Sequence, residues 1–262
     1  MIRTDHQGPL LTVWLDAPAT RNALTDAMVQ GLHDALAQAA ALPALRALVL
    51  RGAGGAFCAG GDFGRFRSLM AEPAPAQGPD PIAVFNRAFG ALLQAWRDSP
   101  VLTLALVDGP AIGGGCGLAA ACDLVLATES APFAMPEVTL GLPPAQIAPF
   151  VAARIGERQA LRLMATGQRV RGAEAARLGL ADDCIQDGEQ DAALQRWAEA
   201  LMRAEPQALR ATRAILRRSA AVLGPTLDFA AESFAHSLRS GTASEGLAAL
   251  AAQRPPAWAT LP

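Results

Sequence analysis

The chain has 262 residues, of which 52 % are hydrophobic and 18 % charged, and its formal net charge is −2. This composition is typical of a packed globular protein and excludes a disordered chain, and without a basic block nucleic acid is not an expected partner. Four cysteines without a CxxC pair and three histidines without a ligand at i, i+4 argue against a disulfide framework and a metal site.

The first half of the chain predicts alternating strands and helices. Apolar runs predict strands over 10–15, 45–50, 101–107 and 124–127, and helical spacing predicts one helix capped by Thr25 and another over 82–96. Four prolines and Gly78 predict an exposed loop over 71–81. Because the strands lack period-two polarity, we expect them to be buried in an α/β core.

The second half predicts helix after helix. They are expected over 145–155, 157–165, 173–178, 191–203, 207–219, 226–238 and 243–252, with one short strand over 181–185. Pro149 is expected to kink the first of them. The last three carry apolar stripes that favour subunit contacts. The spacing of Arg210, Arg213, Arg217 and Arg218 predicts a solvated helix face, with an anion site or a subunit contact as the alternative.

The N-terminus shows a charge but no apolar run of the kind found in secretion signals. No apolar stretch reaches membrane-span length without Gly, Pro or charge. We therefore expect a cytoplasmic protein without a membrane partner.

Two glycine-rich segments, 54–62 (GGAFCAGGD) and 108–117 (DGPAIGGGCG), each follow a predicted strand. The second leads into a predicted helix, whose first N–H groups have no intrahelical acceptor and favour an anionic oxygen. Two backbone N–H groups aimed at one carbonyl oxygen form an oxyanion hole. A turn required only by packing is the alternative explanation for these glycines.

Three side chains near these segments are candidates for chemistry or support. Glu137 lies among apolar residues and prolines, where partial burial would raise its pKa and suit it to acid–base work, although a solvated loop glutamate is the alternative. Cys58 lacks an activating partner at a recognisable spacing, so a small buried thiol is the favoured interpretation. Asp62 is expected to cap the helix over 63–70.

Taken together with other short segments, these residues make the chain resemble the enoyl-CoA hydratase/isomerase (crotonase) family over nearly its whole length. The matching pieces are 21–24 (RNAL), 56–62 (AFCAGGD), 113–116 (GGGC), 121–123 (ACD), 136–141 (PEVTLG), 172–180 (GAEAARLGL) and 245–246 (EG). Segment 140–150 is also similar to the branch that hydrates branched glutaconyl-CoA thioesters in leucine or acyclic-terpene breakdown.

The resemblance implies a spiral α/β core of ββα turns over 1–200 and a helical C-terminal oligomerisation region over 201–262, assembled as a trimer or hexamer. It implies an acyl-CoA substrate, a place in fatty acid metabolism, and no cofactor or metal beyond the CoA of the substrate. It also implies roles for individual residues. Glu137 is the catalytic acid/base, the N–H groups of Cys58 and Gly114 hold the thioester oxygen, and the acyl-CoA path is lined by Ala56, Ala59, Gly60 and Gly61. Arg254 is expected to meet the CoA phosphates of a neighbouring subunit.

Gly117 is a departure from the family pattern. Family hydratases usually carry two acidic residues, the first three residues after the central glycine of the oxyanion hole; here that position is Gly117, and the second matches Glu137. A glycine cannot activate water. Two reactions remain: hydration of a 2-enoyl-CoA by Glu137 alone, or a 1,3-proton shift between 3-enoyl and 2-enoyl thioesters, which needs one base.

Two hypotheses of other classes are weaker. An acyl-CoA-binding protein without turnover is disfavoured by the retained Glu137 and both glycine segments. A nucleotide-binding glycine loop does not fit, because neither GxxxxGK[ST] nor GxGxxG is present at the strand-to-helix glycines.

Overall fold

The structure is a computed structural model that describes residues 1–73, 75, 77–218 and 224–257. Its strands are β1 (Ile2–Gln7), β2 (Leu10–Leu15), β3 (Ala47–Gly52), β4 (Leu102–Val107), β5 (Ala111–Ile112), β6 (Leu124–Thr128), β7 (Phe133–Ala134) and β8 (Asp183–Ile185). Its α-helices are α1 (Asp26–Ala40), α2 (Phe63–Ala71), α3 (Pro81–Arg97), α4 (Gly114–Ala121), α5 (Ala148–Thr166), α6 (Gly172–Leu178), α7 (Gln190–Met202), α8 (Pro206–Arg218), α9 (Gly224–Arg239) and α10 (Thr242–Ala251). A 3₁₀ helix spans Glu137–Leu140.

Six strands form the main sheet in the order β1-β2-β3-β4-β6-β8. β1 runs antiparallel to β2, and the other neighbours are parallel. The residues of β3 are all buried, and those of β4 nearly so, as their continuous apolar sequences predict. β1 was not predicted, because its sequence, IRTDHQ, is polar and it lies exposed at the edge of the sheet.

A second, smaller layer consists of a two-stranded sheet and isolated β-bridges. β5 pairs with β7, Cys58 forms an isolated bridge with Ala111, and Phe133 forms one with Val170. Cys58, β5 and β7 each come after a main-sheet strand and before a helix, whereas Val170 lies between α5 and α6. The chain therefore repeats a strand, short strand, helix unit, which confirms the expected spiral α/β fold.

The helix signals were mostly correct. Thr25 caps α1 by accepting from Met28 N at 3.2 Å, and Asp62 caps α2 by accepting from Gly64 N at 2.8 Å. The kink at Pro149 was wrong: Pro149 lies in the first turn of α5, where its missing N–H costs nothing. The break in α5 is at Gly156, whose φ of 76° is not helical.

The arginine cluster on α8 is not a solvated face. Arg213 is 8 % exposed; its Nε donates to Asp123 Oδ2 at 2.5 Å, and its other nitrogens donate to the carbonyl oxygens of Ser99 and Arg97. Arg217 donates to Asp123 Oδ1 at 2.5 Å. These contacts attach α8 to the core because a half-buried carboxylate favours paired cations. The side chain of Arg218 and the expected helix end at Ser219 lie outside the described residues.

The last two helices pack on the elements that carry the site. α9 lies along α3, and α10 lies on the 3₁₀ helix. There a Cβ built at Gly246 would be 2.8 Å from Leu140 Cα, so the two backbones touch. The proposed domain boundary at 200 and the trimer stay predictions. In the described part of the chain no helix is long and apolar enough to cross a membrane.

Candidate active site

A buried asparagine holds the first glycine-rich segment in place. Asn22, with no exposed surface, donates through Nδ2 to Ala53 O at 2.9 Å and Ala56 O at 2.7 Å, and its Oδ1 accepts from Ala17 N at 2.8 Å. Its φ of 60° is one that asparagine tolerates better than most residues. One amide side chain therefore satisfies three backbone groups and fixes the loop before Cys58.

The hydrogen bonds of this segment correct the predicted oxyanion donor. Cys58 N donates to Pro110 O at 3.0 Å, and Ala59 N donates to Arg21 O at 2.9 Å, so neither N–H is available to a substrate. Gly60 N faces Cys58 Sγ at 3.5 Å. Among the described residues Gly61 N has no acceptor. Sequence reasoning had placed Gly61 only in the acyl-CoA path; it is the free donor of this loop in place of Cys58.

The second segment offers a matching donor. Gly113 N donates to Ala134 O at 2.8 Å, whereas Gly114 is the first residue of α4 and its N–H has no acceptor within the described chain. A Cβ built at Gly60 would lie 3.5 Å from Gly114 N, so the two glycine segments face each other closely. Gly61 and Gly114 both line the same cavity.

The Cys58 thiol is inert, as the sequence indicated. Cys58 has no exposed surface, and burial raises the pKa of its thiol to about 12, despite the hydrogen bond from Gly60 N, which lowers it. A thiol that stays protonated is a poor nucleophile. The four cysteines are all free thiols.

Glu137 begins the 3₁₀ helix and points toward the second segment. A Cβ built at Gly113 would lie 2.8 Å from Glu137 Oε1, so a side chain at this position would displace the carboxylate from its place. Glu137 Oε2 is buried without a hydrogen-bond partner. Burial raises the pKa of Glu137 to about 7, an effect that its own backbone N–H opposes. This carboxyl group can therefore accept and release a proton near neutral pH.

The space beside Gly117, where the resemblance places the first family carboxylate, is filled by a different side chain. A Cβ built at Gly117 would overlap Ile147, lying 2.6 Å from its Cβ and 3.4 Å from its Cα. Ile147 itself lines the cavity. Glycine at position 117 therefore removes a carboxylate and also leaves space for the apolar side chain of Ile147.

We expect Gly117→Ala to lower the free energy of unfolding by about 1–3 kcal/mol through overpacking against Ile147. Adding Ile147→Ala should recover part of this loss, which denaturant unfolding of both single variants and the double variant would measure as a coupling energy. If the two costs simply add, Ile147 does not occupy the space at Gly117.

The cavity, of about 160 Å³, is largely apolar. Its lining includes the predicted residues Ala59, Gly60, Gly61, Gly114 and Glu137, and an aromatic wall of Phe63, Phe66, Phe85, Phe89 and Phe234. The aromatic wall therefore comes from the segment between Phe63 and Phe89 and from Phe234 on α9. Sequence reasoning missed Asn86 and Ile147, although a lone Asn among the apolar residues of α3 was a signal for the first.

Besides Cys58, two other predicted site residues lie outside the cavity lining. Ala56 is 3 % exposed and is not in the cavity lining. Arg254 donates to Glu245 at 2.8 and 3.0 Å, and this contact lowers the pKa of Glu245 to about 2. The Arg254 contact with CoA phosphates of a neighbouring subunit stays a prediction.

Comparison with known proteins gives consistent matches over the whole chain. The sequence model described as enoyl-CoA hydratase/isomerase matches residues 5–260. The crystal structure of an enoyl-CoA hydratase/isomerase from Marinobacter aquaeolei is 39 % identical, covers 99 % of both chains and has a TM-score of 0.80. Pseudomonas aeruginosa AtuE is 41 % identical with the same coverage and a TM-score of 0.78. The human protein named enoyl-CoA hydratase domain-containing protein 2, mitochondrial, is 34 % identical over 93 % of this chain and 83 % of its own length.

Proposed function

We propose, since this chain belongs to the enoyl-CoA hydratase/isomerase family, that it adds water to a 2-enoyl-CoA thioester with Glu137 as its single acid/base. The N–H groups of Gly61 and Gly114 hold the thioester oxygen. The observation that carries the proposal is a buried, unpaired carboxylate beside a cavity that two free N–H groups also line.

The chemistry follows from these groups. Ionised Glu137 takes a proton from water as the water oxygen bonds to C3, and the electron pair of the double bond moves through C2 onto the thioester oxygen. The two N–H groups stabilise the resulting enolate, and each donor of this kind is worth about 3–4 kcal/mol in the transition state. Glu137 then returns its proton to C2 as the enolate collapses, so one water is added and the carboxylate is regenerated.

The 3-enoyl to 2-enoyl isomerase is the second candidate, and Gly117 favours it. With Ile147 in the place of a second carboxylate, no other acidic group is available there to orient water. Isomerisation needs Glu137 only to remove a proton from C2 and return it to C4. Both reactions pass through the same enolate.

Mass spectrometry in D₂O separates the two reactions. Straight 2-enoyl, 3-enoyl and 3-methylglutaconyl thioesters would be incubated with the protein. Addition of one D₂O supports the hydratase and identifies the preferred acyl chain, and deuterium exchange with double-bond migration but no addition supports the isomerase. If no substrate is changed while CoA esters still bind, both proposals fail and the binding-protein alternative gains support.

We expect kcat/KM to rise with pH and level off above an apparent pKa of about 7. The reason is that Glu137 must be ionised to accept a proton, and burial raises the pKa of this carboxyl group to about 7. Initial rates between pH 5 and 9 would measure this value for the free enzyme. A flat profile over this range would contradict a single glutamate base with a raised pKa.

We further propose a homo-oligomer. Phe229, Val84 and Leu250 are exposed by 71, 52 and 53 %, and lie on α9, α3 and α10. Large apolar side chains on neighbouring helices support a subunit interface. We also propose a cytoplasmic location and a place in fatty acid metabolism. The similarity to the glutaconyl-CoA branch and the absence of a cofactor are proposals as well.

A further inference from the structure

The wall of the cavity contains polar side chains that the proposed chemistry does not use, and Asn86 is one of them. Asn86 lies on α3, is 9 % exposed and lines the cavity together with Gln146. The rest of the wall near it is aromatic and aliphatic, including Phe85 and Phe89. A polar group in such a wall usually meets a specific partner.

The hydrogen bonds fix which end of the Asn86 amide is free. Gln146 contacts Leu227 O at 2.8 Å and Asn86 at 2.9 Å through the same terminal atom. A backbone carbonyl can only accept, so this atom of Gln146 is the donor Nε2, and the Asn86 atom bound to it is the acceptor Oδ1. Asn86 Nδ2 consequently keeps both of its N–H groups, and neither has an acceptor among the described residues.

We propose that Asn86 Nδ2 donates a hydrogen bond to an oxygen on the acyl chain of the substrate, so that Asn86 determines which chain is preferred. This inference rests on the proposed function and deepens it. A site built to hydrogen-bond an oxygen rejects a chain that lacks it, because the donor in this apolar wall is then left unpaired. The substrate class is therefore a 2-enoyl or 3-enoyl thioester whose chain carries a hydroxyl, carbonyl or carboxylate oxygen.

The charged residues of the cavity indicate whether the oxygen bound by Asn86 is neutral or anionic. The charged residues of the lining are Asp26 and Glu137, both acidic, and none of the described residues that line the cavity is Lys or Arg. An uncompensated carboxylate there would carry a desolvation cost that a hydroxyl or carbonyl oxygen avoids. The experiment therefore includes both neutral and anionic oxygens.

The test compares acyl-CoAs of equal chain length. One series ends in a methyl group, and the others carry a hydroxyl, a keto group or a carboxylate, moved one carbon at a time along the chain. kcat/KM is measured for the wild-type protein, for Asn86→Leu and for Asn86→Asp. Asn86→Asp keeps the acceptor for Gln146 Nε2 and, when ionised at pH 8, removes the donor, which separates recognition from packing. Binding of the saturated analogues by calorimetry gives a readout independent of turnover.

We expect the wild type to prefer one oxygenated chain by about 10-fold or more over its methyl-terminated match. Both variants should lower this preference to about 1, measured as the ratio of kcat/KM for the oxygenated chain to kcat/KM for its methyl-terminated match. Equal use of all chains by the wild type, or a preference that survives both variants, would overturn the role of Asn86. Loss of all turnover with an intact binding preference would instead count against the proposed reaction.

Discussion

Glu137→Gln is expected to lower kcat for water addition and for isotope exchange by about 10²–10⁴-fold, the range that a positioned general base supplies. Glutamine has nearly the same shape but cannot take a proton from water or from C2. The affinity for a saturated acyl-CoA should change little, because the donors of Gly61 and Gly114 remain. Turnover and calorimetric binding, measured on the same preparation, provide the two readouts. Turnover at the wild-type rate would remove Glu137 from the mechanism.

The same substitution is expected to stabilise the fold at high pH. The pKa of Glu137 is raised from 4.5 to about 7 by burial, so the folded state holds this proton more tightly than the unfolded chain. The contribution of Glu137 to the free energy of unfolding of the wild type is therefore largest below pH 4.5 and is lost as the pH rises through about 7. Between pH 5 and pH 8 the advantage of the glutamine variant should grow by about 2–3 kcal/mol in denaturant unfolding. A pH-independent difference would mean that the carboxyl group is not buried as described.

Gly114→Pro is the second change for which we expect a large effect, a loss of about 10²–10³-fold in kcat. Proline removes the N–H that, in the proposed mechanism, donates to the thioester oxygen. It is well tolerated at the first position of a helix, which Gly114 occupies, so α4 should still form.

Gly114→Ala is the matched control, because it keeps the N–H but adds the same Cβ. That Cβ would lie 2.8 Å from Leu24 Cδ1 and 3.4 Å from Phe89 Cζ, a steric cost that both variants share. Rates for both variants, with circular dichroism melting curves to verify folding, isolate the contribution of the donor. Equal losses in the two variants would show that crowding, rather than the N–H, is responsible.

Helices and strands were predictable where the local sequence pattern depends on whether the residues are buried or capped. The continuous apolar runs of β3 and β4, the Thr25 and Asp62 caps, and the helical spacing of α3 each depend on local chemistry, and each is confirmed. β1 was missed because an exposed edge strand gains its hydrogen bonds from β2 rather than from buried side chains.

The site required long-range information that no local pattern holds. Whether Cys58 N or Gly61 N is free depends on Pro110, fifty-two residues further along the chain from Cys58, which accepts the first. The departure at Gly117 was visible in the sequence, but the side chain that fills the space, Ile147, was not. Arg213 likewise has the spacing of a surface residue and is buried only because Asp123 approaches it from another element.

The contact between Gly246 and Leu140 has a consequence for biosynthesis. All strands of the main sheet lie before residue 186, and α7 and α8 then cover one of its faces. The 3₁₀ helix that carries Glu137, by contrast, acquires its backing from α10 only after residues 242–251 have been made. The strands of the main sheet are therefore synthesised before the helix that backs Glu137, so we expect the surroundings of Glu137 to be completed last.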